Sequence, residues 1–125
     1  MDNNEKEYIK LRFGLTLKKI IDKNKATGKE NQLNGIKDKN LINSYGKLET
    51  ASGVPKATII EIVQGKKNAA STTIAAILDA FEMTLSQFGI LYDKISATEI
   101  QNYKSELSKA KEDRKNKKKD KRKPK

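Results

Sequence analysis

The segment Leu48-Glu49-Thr50-Ala51-Ser52-Gly53-Val54-Pro55-Lys56-Ala57-Thr58-Ile59-Ile60-Glu61-Ile62-Val63-Gln64-Gly65-Lys66-Lys67-Asn68 holds two short helices and the turn between them. Gly53 permits a sharp turn, because a residue without a Cβ enters the left-handed region at little cost. Pro55 suits the first turn of a new helix, where its missing N–H costs nothing. The second helix, residues 55–64, places Ile59, Ile62 and Val63 on one face. Gly65 ends it in the usual position just past the cap, and Lys66-Lys67-Asn68 follows as a basic turn.

Leu48, Val54, Ile59 and Ile62 are placed to lock the two helices together. The pattern is a helix-turn-helix, and it leaves the outer face of the second helix available to a DNA major groove. Upstream, Ser44 stands as the cap of a helix over residues 45–52, with Lys47 not completing a capping box. Residues 5–23 read as a first helix, with Leu11, Leu15, Leu17, Ile20 and Ile21 near helical spacing. Gly14 inside it costs roughly 1 kcal/mol relative to Ala, so close approach by another helix is expected there. Residues 24–43 are polar, with only Leu33, Ile36, Leu41 and Ile42 large and apolar. They are expected to form a long inserted loop, with a short turn near Leu33 and Ile36.

Downstream, Ser71 or Thr72 caps a fourth helix carrying Ile74, Ile77, Leu78 and Phe81. Thr84 caps a fifth, carrying Leu85, Phe88, Leu91, Tyr92 and Ile95. No alternating run suggests a strand, so the fold class is all-α. Residues 5–95 form the expected domain. Residues 96–110 follow as a short amphipathic helix with a narrow stripe of Ile100, Tyr103, Leu107 and Ala110. Residues 111–125 are a Lys-rich tail whose composition predicts disorder. The stripe has two readings: it packs back on the domain, or it pairs with a second copy.

The chain of 125 residues carries 27 Lys and Arg against 16 Asp and Glu, a net charge of +11. That charge is unevenly spread. Residues 104–125 hold 12 Lys and Arg against 4 Asp and Glu, a net of +8, and the rest of the chain carries only +3. The tail has three readings: a nonspecific electrostatic arm for DNA, a solubilising end without a partner, or a binder of RNA or acidic protein. There is no Cys and no His. Thiol chemistry, a His general base and the commonest zinc ligands are therefore excluded. Glu49 and Glu61, the only carboxylates in the helix-turn-helix block, lack a nucleophile or metal cluster beside them, and the expectation is a non-enzyme without cofactor or metal. No apolar run is long enough to span a membrane, and the acidic start Met1-Asp2-Asn3-Asn4-Glu5 is unlike a signal peptide. A cytoplasmic, nucleoid-associated location is expected.

The block resembles the Cro/C1-type (XRE) helix-turn-helix family of phage and bacterial regulators. Phe13-Gly14 and Leu17 resemble its first-helix signature, and Gly53-Val54-Pro55 its Gly-Val-Ser turn. Thr58-Ile59 falls on its Thr-Ile/Val pair, and Gly65-Lys66-Lys67-Asn68 on its Gly-Lys-Arg-Asn. Ala80-Phe81 through Met83-Thr84-Leu85 is similar to the link between its last two helices. The resemblance covers about residues 13–88 without the 24–43 loop, and it implies a five-helix domain. Three departures stand out. The family's short first connection is long here. Glu49 replaces a small Ala, so it is expected to be partly exposed or paired. Ile21 and Val63 replace an Arg–Glu bridge, so those two are expected to touch.

The resemblance implies that Lys56, Ala57, Ile60 and Glu61 read bases. Lys56 would donate to guanine O6/N7, Ala57 and Ile60 would meet a thymine methyl, and Glu61 would accept from cytosine N4. Ile60 has a second reading as a core residue. Phosphate contacts are implied at Tyr45, Lys47, Thr58, Gln64, Lys66, Lys67 and Asn68. The expected function is a sequence-specific DNA-binding transcriptional regulator, a repressor, whose partner is double-stranded DNA. Homodimerisation through residues 85–95 and the following stripe is an open expectation. The alternatives are an antitoxin-like module that binds a protein through residues 24–43, or a nonspecific nucleic-acid binder driven by the tail.

Overall fold

The computed structural model describes residues 1–37 and 41–122, with side chains through Lys115. Six helices account for the architecture among the described residues: α1 (Asn3–Leu33), α2 (Tyr45–Ser52), α3 (Lys56–Val63), α4 (Ser71–Ala80), α5 (Leu85–Asp93) and α6 (Ala97–Arg122). The fold is all-α. No single helix among the described residues is long and apolar enough to cross a membrane.

The four central helices are eight to ten residues long, too short to persist alone in water. One buried cluster holds them. Leu17, Ile20 and Ile21 of α1 meet Leu48 of α2, Ile59, Ile62 and Val63 of α3, Ile74, Ile77 and Leu78 of α4, and Phe88 of α5, together with Val54 of the turn. Leu17, Leu48, Ile59 and Ile77 are fully buried, each contributing about 1.5–3 kcal/mol. Phe13 stacks on Phe88 at 5.7 Å between ring centroids and meets Tyr92 at 4.9 Å. Arg12 lies 4.3 Å over the Tyr92 ring and its Nε donates to the Tyr92 carbonyl at 2.9 Å, tying α5 to α1.

Two segments differ from the sequence expectation. The first is the 24–43 loop, of which residues 24–33 continue α1. Lys25, Ala26, Lys29, Glu30 and Gln32 are good helix formers, and a helix polar on every side is compatible with projection into solvent. The turn expected near Leu33 and Ile36 is the end of this helix. Gly35 takes the left-handed conformation at φ 71°, and the Ile36 and Gly35 N–H groups donate to the carbonyls of Asn31 and Gln32. This double bond is the Schellman stop. Residues 41–43 return along the arm: the Asn24 side chain donates to the Ile42 carbonyl at 2.8 Å. Residues 38–40 lie outside the described residues.

The second difference is the tail. α6 runs to Arg122, through most of the 111–125 segment for which composition predicts disorder. Lack of apolar residues prevents a core, but a helix needs only local propensity and one anchored end. The run from Lys104 to Arg122 contains no Gly or Pro. Residues 123–125 lie outside the described residues. The anchor is a second cluster in which Ile100 and Tyr103 of α6 join Ile95 and α1's Leu11 and Leu15, flanked by Tyr8 and Leu107. Of the two readings of the Ile100, Tyr103 and Leu107 stripe, the first describes the structure: it packs back on its own domain.

Local terms also differ. Ser71 is the first residue of α4 rather than its cap, which is Ala70 without a side-chain bond. Pro55 is the cap of α3 rather than its first residue. Ser44 and Thr84 cap α2 and α5 as expected, and Thr84 forms a reciprocal capping box with Gln87.

Candidate nucleic-acid interface

α2 and α3 are joined by Gly53-Val54-Pro55. Gly53 is left-handed at φ 76°, and its N–H closes α2 on the Glu49 carbonyl at 2.9 Å. Val54 is buried and inserts into the main cluster with Leu48, Ile59 and Ile62, so the lock expected from sequence forms. Pro55 has no side-chain oxygen with which to cap α3. Glu49 supplies one instead: its Oε2 accepts from the Lys56 N–H at 2.6 Å. The carboxylate is exposed, so it stands as a paired, solvated charge, as expected from sequence. A carboxylate here also complements the positive end of the helix dipole.

The other end of α3 is fixed by three elements. Gly65 is left-handed at φ 72°. The Lys66 and Gly65 N–H groups donate to the carbonyls of Glu61 and Ile62, a second Schellman stop. Gly14 of α1 lies directly against this end. A Cβ on Gly14 would sit 2.6 Å from the Ile62 carbonyl oxygen and nearer still to that of Val63. The close approach expected from an in-helix glycine is present. From α6, the buried Tyr103 hydroxyl donates to the same Val63 carbonyl, satisfying one of the four acceptors that every helix end leaves open. Ile21 and Val63 share the main cluster, but the α1 residue set against the Val63 backbone is Gly14, seven residues before Ile21.

Burial pushes the Tyr103 phenol well above its usual range, with like-signed help from Tyr45, Glu106 and Asp22. The folded state thus holds the neutral phenol, whereas the unfolded chain ionises it from about pH 10. Stability from this group is complete below that value and falls as pH rises beyond it. Tyr103→Phe is expected to cost about 1–2 kcal/mol at pH 7 and to flatten the alkaline loss of stability. Urea melts of both proteins at pH 7, 9, 10 and 11 check this, and parallel alkaline slopes would exclude it.

Of the expected base-reading residues, Lys56, Ala57 and Glu61 are exposed, and Ile60 is half-buried. Ala57 and Glu61 lie opposite the buried Ile59, Ile62 and Val63, Ile60 lies on the flank, and Lys56 stands at the start of the helix, seven residues before Val63 and so on its side. The expected phosphate-binding residues do not form one patch. Lys47 lines a groove with Ile42, Gly46, Thr50 and Glu82. Lys67 and Asn68 border a hollow beside Lys10 and Phe13 of α1. Gln64 and Lys66 open onto a cleft shared with α6. Thr58 is half-buried. Tyr45 is half-buried against the main cluster, and desolvation raises its phenol pKa despite the opposing pull of Lys18, so it stands as a neutral hydrogen-bond donor.

Sequence reasoning missed two positioning residues. Glu49 as the cap of α3 was signalled only by a capless Pro55 six positions on. Tyr103 had no local signal, since its acceptor is forty residues away. Among the described residues, no group of three or more carboxylates is placed to hold a metal ion. Comparisons with protein-family models, curated proteins and solved structures gave no match for this chain.

Proposed function

We propose that this protein is a sequence-specific DNA-binding regulator, a repressor, of the Cro/C1 helix-turn-helix type, reading the major groove with α3. The observation that carries this is the α2–turn–α3 unit. Its inner face is buried and both ends of α3 are pinned, while Lys56, Ala57 and Glu61 are each exposed. A rigid helix with a polar outward face suits base readout. The five-helix domain is α1 to α5, and α6 is an addition to it.

Leu85 and Ile90 of α5 are 71% and 57% exposed, which supports a homodimer through α5. Such a dimer would read half-sites about 10 bp apart or a multiple of that. Leu33 and Ile36, exposed at the far end of α1, favour a second reading in which this arm binds a protein partner.

Selection of bound sites from random duplex DNA tests the first reading. Lys56→Ala combined with Glu61→Ala is expected to flatten base preference while keeping the fold. Lys66→Ala should instead weaken all sequences alike and lower the salt slope by about one unit. An unchanged preference in the double variant would remove α3 as the reading helix.

A further inference from the structure

The cleft between the C-terminal end of α3 and α6 has a volume of about 300 Å³ and is lined by Gln64, Lys66, Lys104, Leu107, Lys111 and Arg114, with Glu7 at its edge. Four cations thus face one carboxylate, and that carboxylate is engaged with Lys104 at 3.3 Å. None of the ion pairs among the described residues involves Lys66, Lys111 or Arg114. Lys104, Leu107, Lys111 and Arg114 recur at helical spacing, so α6 presents its cations in a row along the cleft. Lys104 to Arg114 covers about 15 Å of helix, the axial length of about four or five phosphates on one DNA strand.

We infer that this cleft seats the phosphodiester backbone of a DNA duplex, with Lys66, Lys111 and Arg114 on phosphates that flank the bases read by α3. The inference rests on the proposed DNA-binding role and assigns α6 a place in it. The charged tail is then an extension of the reading head rather than a loose arm. Two contacts hold α6 at a constant offset from α3: the Tyr103 hydroxyl on the Val63 carbonyl, and Leu107 packed on the second core cluster. Cations on a helix so held meet the same phosphates in every complex, and they act in register with Lys56 and Glu61. The floor includes Leu11 and Leu107, but the rim of four cations suits a phosphate strand better than an apolar small molecule.

The experiment uses the full-length protein and a duplex containing its selected site. Binding is followed from 50 to 300 mM salt, and protected phosphates are mapped by hydroxyl-radical footprinting. Lys111→Ala with Arg114→Ala is expected to reduce the salt slope by about two units. Protection should be lost on one flank of each half-site, with base preference unchanged. Lys94→Ala with Lys109→Ala removes the same charge outside the cleft and should leave both readouts near those of the parent. Equal effects from the two double variants, or an unchanged footprint in the first, overturn the fixed cleft while leaving α3 as reader. A parent protein without any duplex preference instead removes the DNA-binding role itself. Tighter binding of single-stranded RNA with the same dependence on Lys111 and Arg114 overturns the duplex assignment.

Discussion

Gly14→Ala is expected to destabilise the protein by about 3 kcal/mol, the largest loss from any single-methyl change. Helix propensity argues the other way: Ala in a helix interior is favoured over Gly by about 1 kcal/mol. The clash outweighs that gain. The new Cβ would lie 2.6 Å from the Ile62 carbonyl oxygen, 2.8 Å from the Val63 carbonyl carbon and nearer still to the Val63 oxygen. These are backbone atoms at the end of a helix already bonded into a turn, so no rotamer change relieves the overlap. α1 and α3 must separate, and overpacking of this kind costs roughly 1–3 kcal/mol and sometimes more. Separation also pulls on the Tyr103–Val63 hydrogen bond, which adds to the loss. A melting temperature lowered by on the order of 10 °C is the expected reading. A variant as stable as the parent would mean that α1 does not press on α3 as closely as described.

Gly65→Ala should cost about 2–3 kcal/mol, and Gly53→Ala only about 1 kcal/mol. Both glycines are left-handed, at φ 72° and 76°, so each substitution meets the same backbone strain of about 1–2 kcal/mol. Their surroundings separate them. A Cβ at Gly53 meets nothing within 4 Å, whereas one at Gly65 lies 2.8 Å from Leu11 Cδ2 and 3.3 Å from Leu11 Cα. The side-chain carbon can swing away, but the Cα cannot. Because Gly65 lines the cleft, its variant should also weaken the proposed DNA binding beyond the stability loss. Denaturant unfolding of the two variants side by side isolates the packing part from the strain part. Equal losses would show that the neighbouring Leu11 yields freely.

What could be read in advance follows from the range of each interaction. The α2–turn–α3 unit was legible because its determinants lie within twenty-two residues. They are Ser44, Leu48, Gly53, Val54, Pro55, Ile59, Ile62 and Gly65, each with a local conformational or packing reason. The two long helices were misjudged for one shared reason. Apolar periodicity reports burial, and residues 24–33 and 108–115 are helical without being buried. Helix propensity carries them, while their anchors, Leu41 to Asn43 against Gly28 and Tyr103 against Val63, come from distant parts of the chain.

The sequence alone therefore determined the all-α class, the position of the turn and the exposure of Lys56, Ala57 and Glu61 on α3, because periodicity and glycine chemistry are local. Tertiary structure alone decided where the charge goes. Composition placed a net of +8 in residues 104–125 without direction. Packing of Ile100, Tyr103 and Leu107 on α1 and the Tyr103 bond to α3 bring part of it, Lys104, Lys111 and Arg114, beside Lys66. Charge composition is a property of residues, but a charged surface exists only once buried side chains fix which residues stand together.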